Sequence, residues 1–527
     1  MALTPDTPFR MPMFRDFVPH VVRPWIFLSF AVVFQLTGGV YLASLSQMAG
    51  GLSLMREDVL MCFYASLVGL SLPFPLLFRM KFRFVTRNLL LTSATVILIC
   101  NVAAMYVTSL PVLWFFCFLS GYFKLQGTFE CMSNIQLWMT PKRDFTVFFP
   151  LLYIIVLGDI QMSGLFTTYI AYFTKWKYMH YAIIGLLLTV IFLLFTLTRP
   201  FRLMPKLKLY GVDWLGLVLW AALLLQGAYF FAYGEHYNWL ESPHLQTVLV
   251  TLVITAFFCI GRMLHIRHPF IEPEIWKYRN FIPFLITFFL VEMLVATPEI
   301  LQEILTGHVL HFDSLNTVTL NFWMIAGILL GSLFSYWALH HLRMSYIKIT
   351  ILGFAALVAY QIMMYFYISP DVNIERFYLP TMLRSWGYMV LTVAFTVYME
   401  EIMALKHFFQ GLCVFGMVRT GLGSAIGAAV YGFGLRYFTA DNLQRLAPNF
   451  DAVAVSAHHE SPVHLYGEVM EQVMLMSTKQ LYGLTCIAGC VVILLMFVYD
   501  GPLRTLLKHK TTFPALGRRI RLTMKRQ

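Results

Sequence analysis

The stretch YAIIGLLLTVIFLLFTL (181–197) contains no charged side chain, and runs like it recur along the chain. A helix of about 20 such residues crosses the ~30 Å hydrocarbon core of a bilayer. Long unbroken runs point to helices, because a transmembrane barrel would show short alternating segments. Composition agrees: of 527 residues, 59% are hydrophobic and 12% charged, against about 25% charged in soluble domains. The chain is read as an all-α integral membrane protein.

Fourteen spans are predicted. They lie near 24–47, 58–78, 88–108, 111–138, 145–172, 178–198, 212–233, 245–265, 280–304, 318–340, 346–368, 377–402, 408–437 and 480–499. An even number puts both ends on one side. With the ends inside, the inner loops collect most of the 38 Lys and Arg, including RMKFRFVTR (79–87), PKRD (141–144), RPFRLMPKLK (199–208) and the tail GRRIRLTMKR. The positive-inside rule then places both termini in the cytoplasm. The net charge of +12 is topological on this reading and excludes nucleic acid as a partner. The basic tail is also placed to touch anionic lipid. All eight cysteines fall inside apolar runs without a CxxC spacing, so they read as small buried residues, with no metal, disulfide or other cofactor expected.

The spans suggest a six, two, six arrangement: a cytoplasmic segment 1–23, six spans in 24–198, a linker 199–279 carrying the seventh and eighth spans, six spans in 280–499, and a basic tail 500–527. The stretch 280–499 includes a polar outer loop, 438–479, read as an ordered loop or a docking or gating element.

Five stretches then occur in order: GVDWLGLVLW (211–220), YGEHYNWLESP (233–243), HPFIEPEIWKYRNF (268–281), TPEILQE (297–303) and VRTGLGSAIGAAV (418–430). Together with the span count, they resemble the fourteen-helix drug/proton antiporters of the major facilitator superfamily, the EmrB/QacA type. The resemblance implies two six-helix bundles around a central cavity, two appended helices, and rocking of the bundles to open the cavity on alternate sides. It also implies a bacterial inner-membrane location. In a Gram-negative source it would add a periplasmic adaptor and an outer-membrane duct as partners. The sequence departs from the family's pattern in the first half. Gln35 and Thr37 stand where the first helix has an acid before a Thr, and SGLFTT keeps only Gly164 of the fifth helix's antiporter signature.

Ionisable residues inside spans are functional candidates, because charge in hydrocarbon is costly. Asp159, Glu130 and Glu292 are the candidates for proton coupling, and Lys124, Arg419 and Arg384 their charge partners. Asp159 and Lys124 lie near mid-depth on consecutive spans, so they are expected either to couple protons or to form a static ion pair. Glu292 faces the cavity or Arg419; Arg384 lies in the outer third of its span. The cavity candidates are Gln35, Tyr122, Gln126, Phe129, Asn134, Tyr153, Gln161 and Tyr431. Gly164, Gly421, Gly423 and Gly427 are read as packing or hinge positions.

The function expected is secondary active transport: proton-coupled efflux of lipophilic, amphipathic or cationic small molecules. Aromatic side chains supply stacking and cation–π contact for such cargo. No GxxxxGK[ST] motif suggests ATP drive, and no enzymatic activity is expected. The alternatives are a transporter of the same fold for a lipid or siderophore-like metabolite, one without proton antiport, and, from another class, a receptor or membrane-embedded transferase.

Overall fold

In bilayer hydrocarbon every backbone N–H and C=O must bond within the protein, which leaves helices as the form these runs take. The computed structural model describes residues 9–37, 45–140, 144–202, 211–278, 280–450 and 462–498. Within them the chain is helical, apart from irregular links and one isolated bridge between Phe14 and Thr198. Ten helices are long and apolar enough to cross a membrane, or eleven if one bent pair counts as a span, among the described residues. The remaining predicted spans correspond to a short apolar helix, α1 (Arg23–Leu36), and to two long, less apolar ones, α6 (Leu110–Met139) and α15 (Tyr378–Ile402).

The bent pair is α3 (Arg56–Ser71) and α4 (Phe74–Arg83), which meet at 58°. The sequence between them is LPFP. Pro73 and Pro75 have no N–H to donate, and their rings clash with the preceding turn, so a straight span cannot continue. This corrects the expected single span 58–78 and turns most of the expected loop 79–87 into helix, with Lys81 buried.

The first group of helices packs α1, α3, α5 (Thr86–Tyr106), α6, α7 (Phe145–Phe173) and α8 (Lys177–Leu197). Its tightest seam joins α3 and α6. A Cβ on Gly69 would overlap the Phe118 carbonyl, and one on Gly121 the Ser66 carbonyl. The second group packs α11 (Phe281–Thr297), α13 (Leu320–Tyr336), α14 (Tyr346–Tyr367), α15, α16 (Leu405–Gly416) with α17 (Ser424–Leu446), and α18 (Pro462–Val498). The groups meet where α7 packs on α13 and α15, and where α3 packs on the widened helical segment Met417–Gly423 between α16 and α17.

The helices α9 (Trp214–Tyr233) and α10 (Pro243–His265) form a pair, with α9 resting on α3 and α17. Phe257 on α10 is 74% exposed and Leu264 63% exposed, as suits a lipid-facing helix. Asp213 fixes this pair. Its carboxylate caps α9 through Gly216 N at 2.8 Å, accepts from Arg262 on α10 at 2.7 Å, and accepts from Phe270 N at 3.2 Å. Tyr233 donates to Asp58, tying α9 to the start of α3.

The described part of segment 1–23 packs on the helices: Met11 and Phe14 are buried, Phe14 packs edge-on against Phe27 at 4.9 Å, and Arg23 donates to the Val18, Arg10 and Met11 carbonyls. One further expectation changes. The expected outer loop 438–479 is mostly helix, because α17 runs on to Leu446 and α18 begins at Pro462. At 37 residues, α18 is about 55 Å long, more than a bilayer needs. Residues 451–461 and the tail 500–527 lie outside the described residues.

The α3–α6 seam gives a direct test. Gly69→Leu forces two helix backbones apart and is expected to destabilise by at least about 2 kcal/mol, read as a lower melting temperature and less monodisperse protein on size exclusion.

Candidate functional site

Helices from both groups bring mid-span polar and charged residues to one place between them. A cavity of about 310 Å³ is lined by Gln35, Lys124, Gln161 and Gly164 from the first group and by Glu292, Arg384, Tyr388, Arg419 and Thr420 from the second. A second, apolar pocket of about 150 Å³ shares Gln35, Arg419 and Thr420 with it. Aromatic rings dominate its walls, including Phe129, Phe149, Tyr153, Phe408, Phe409 and Phe415.

Arg419 stands where the two spaces meet. It lies in the widened segment Met417–Gly423, and such widening turns side chains out of ordinary helical register. Its Nε donates to the Tyr388 hydroxyl at 2.8 Å, and that hydroxyl donates to Glu292 Oε1 at 2.8 Å. The guanidinium lies 5.7 Å from the Tyr153 ring centre and 5.4 Å from that of Tyr388. Tyr153 in turn shares a hydrogen bond of 2.7 Å with Thr396. Glu292 and Arg419 are therefore joined through a tyrosine and not by direct contact. Small residues favour this: a Cβ on Gly427 would overlap Ala296 of α11, and one on Gly423 would lie a tight 3.2 Å from Glu292 Cβ.

Lys124 and Asp159 interact through their charges but form no ion pair. Asp159 is 7% exposed, does not line either space, and its Oδ2 has no hydrogen-bond partner among the described residues. Gln35 donates to Thr128 at 2.9 Å, and Thr128 to the Lys124 carbonyl at 2.9 Å, which fixes α1 against α6 beside the lysine. Arg384 lies against the Met324 sulfur at 3.0 Å and the Tyr360 ring at 5.8 Å, with no carboxylate in ion-pair range among the described residues.

Other candidates lie elsewhere. Glu130 pairs with Lys81 at 3.7 Å, and Lys81 also contacts Ser133 and Asn134. Both charges are buried, and neither lines the cavity. Asn134 belongs to this network, donating to the Glu130 carbonyl at 2.7 Å. Tyr431 is buried with Tyr360 and Tyr482 in a separate cluster. Tyr122, Gln126 and Gly421 line neither space. Gly164 faces Asn321 of α13, where the two groups touch.

Tyr388 and Lys81 were not singled out from the sequence. Tyr388 follows Arg384 by four residues and so shares its helix face, a signal that was available. Lys81 was hidden in a basic run that read as loop.

The groups also touch at both ends. At the end rich in Arg and Lys, Phe78 and Phe129 pack on Phe409 at 4.3 and 5.8 Å, Phe149 packs on Phe408 at 6.3 Å, and Asp144 meets His340 at 3.3 Å. At the other end Arg56 meets Glu303 at 2.7 Å.

Glu272, Glu274 and His407 converge outside the spans. The Lys406 ammonium is 2.7 Å and His407 Nε2 3.0 Å from the same Glu272 oxygen, so the cluster acts as an ion-paired anchor of the 266–280 linker on α16. Burial raises the Glu272 carboxyl, but the hydrogen bonds from Lys406 and His407 outweigh it and hold it below its ordinary range.

No family model matches the chain, and no curated protein matches it. Solved structures do match in fold. A proton dependent oligopeptide transporter aligns with a TM-score of 0.56 at 12% identity, over 90% of this chain and 98% of that one. Tetrameric PepTSo2 gives 0.56 at 12%, over 92% and 99%. A mutant of the nucleoside transporter NupG gives 0.51 at 12%, over 90% and 100%. The chain thus has the all-helical major facilitator fold.

Two outcomes check the buried and exposed ion pairs. Lys81→Met or Glu130→Gln alone should cost about 3–5 kcal/mol, because each strands a buried partner, while the double variant should recover most of it; thermal melting in detergent reads both. A carboxylate held low stabilises above its unfolded pKa and loses that stability as pH falls through its folded pKa. Glu272→Gln should therefore destabilise by about 0.5–1 kcal/mol at neutral pH, read as a lower melting temperature, and the gap to the parent protein should close on acidification.

Proposed function

We propose that the chain is a secondary active transporter that exports lipophilic or amphipathic small molecules by alternating access, in exchange for protons. The observation that carries this reading is the cavity between the two helix groups, lined with charge from both sides. A ligand there touches both groups at once, so its binding energy can differ between two arrangements of them, as a coupled transporter requires. Contacts joining the groups lie at both ends of the cavity axis, which suits alternate opening. Solved proteins of like fold include proton dependent oligopeptide and nucleoside transporters, and the same class of work is assigned here.

In this reading the bundles span 24–198 and 280–499, the segment 199–279 adds α9 and α10, and fourteen helices cross the membrane. The termini face the cytoplasm of a bacterial inner membrane. An adaptor and an outer-membrane duct complete the route where a second membrane exists. Asp159 and Glu292 are the coupling carboxylates. Asp159 has an unpartnered oxygen beside Lys124. Glu292 is linked through Tyr388 to Arg419, so protonating it releases a hydrogen bond at the point where the cavity and the aromatic pocket meet. Glu130, held by Lys81, serves structure.

Proteoliposomes with an imposed pH gradient test this. Gradient-driven movement of an amphipathic fluorescent dye is expected, with Asp159→Asn and Glu292→Gln each reducing it at least about tenfold while dye exchange without a gradient persists. Transport that ignores the gradient, with both variants unchanged, would sink proton coupling.

A further inference from the structure

The sequence suggested cationic cargo, but the cavity wall carries the opposite sign. Its charged lining is Lys124, Arg384 and Arg419 against a single carboxylate, Glu292, among the described residues. Arg419 and Glu292 are already committed to one another through Tyr388. That leaves two cations. Lys124 has no ion-pair partner among the described residues, and Asp159, whose charge it feels, does not line the cavity. Arg384 is backed by the Tyr360 ring and the Met324 sulfur, neither of which neutralises it. A guanidinium on the cavity wall, backed on one side by an aromatic ring, keeps donors for an anion that enters that space.

From this we infer that the cavity holds its cargo by a negatively charged group, a carboxylate or a phosphate, placed between Lys124 and Arg384. The cargo's apolar body lies past Gln35 and Arg419 in the aromatic pocket, whose walls share those residues with the cavity. An organic cation of the same size meets the like charges of Lys124 and Arg384 in the cavity wall and is excluded. The arrangement also ties recognition to motion: Lys124 is on α6 of the first group and Arg384 on α15 of the second, so an anion bridging them favours the arrangement in which the two groups close on it. This inference rests on the proposed transport function and specifies its substrate class.

The test uses the full chain in nanodiscs and four probes of one shape: 4-phenylbutyrate, 4-phenylbutyl phosphate, 4-phenylbutylamine and 4-phenylbutanol. One or both anions should raise the melting temperature, the amine and the alcohol should not, and comparison of the two anions separates carboxylate from phosphate chemistry. Lys124→Gln and Arg384→Gln should each weaken the anion response about tenfold or more, as loss of a charge-assisted hydrogen bond implies, while Lys124→Arg should keep it. Should Lys124→Gln fail to fold, Arg384→Gln carries the same comparison. A preference for the amine, equal responses to all four probes, the absence of an anion-specific shift, or an anion response unchanged in both variants would overturn the assignment. Proteoliposomes separate the two readings. Anion binding without any gradient-driven movement defeats the transport reading alone. Gradient-driven export of a cationic dye, unaltered by Lys124→Gln, defeats the anion assignment alone.

Discussion

Hydrocarbon offers no hydrogen bonds, and that lack shapes each charged contact inside this protein. A charge drawn from water into such surroundings costs several kcal/mol unless a partner meets it. Lys81 and Glu130 meet each other. Arg262 meets Asp213, which also caps α9. Glu292 and Arg419 meet through Tyr388. Lys124 and Arg384, which form no ion pair among the described residues, both line the central cavity, whereas Asp159, with an unpartnered oxygen, does not.

Packing supplies the second layer. Within each helix group, glycine faces its neighbours across the seams, as at Gly69 and Gly121. At the two ends of the cavity the contacts between the groups are different in kind: phenylalanine rings at one end, Arg56–Glu303 at the other. The exposed ion pair is worth little, whereas each aromatic pair adds about 0.5–1.5 kcal/mol beyond the area it buries. Between the ends the groups also meet along α7, which packs on α13 and α15.

The fold was largely legible because hydropathy reports directly on the solvent. Each long apolar run from α5 to α15 became a helix close to its expected ends. The exceptions have local causes: LPFP bent one span, and a basic run concealed the buried Lys81. The site was legible in part. Gln35, Lys124, Gln161, Glu292, Arg384 and Arg419 do share a cavity, with Phe129 and Tyr153 in the adjoining pocket. Glu130, Asn134 and Tyr431 do not, since depth along a helix says nothing of which way a residue points.

The sequence by itself determined a membrane protein of many helices, because apolar runs this long have no other stable solvent. It also determined which residues would be costly to bury. Tertiary structure alone decided which of those costs are met by a partner and which are left facing open space. Glu130 and Glu292 look alike in sequence, as acids in apolar helices. One sits beside an ammonium brought by the bend at Pro73, the other beside a tyrosine and a cavity. Partnership across helices depends on their rotation and spacing, and these are set by glycine seams and proline bends acting far from the charge itself.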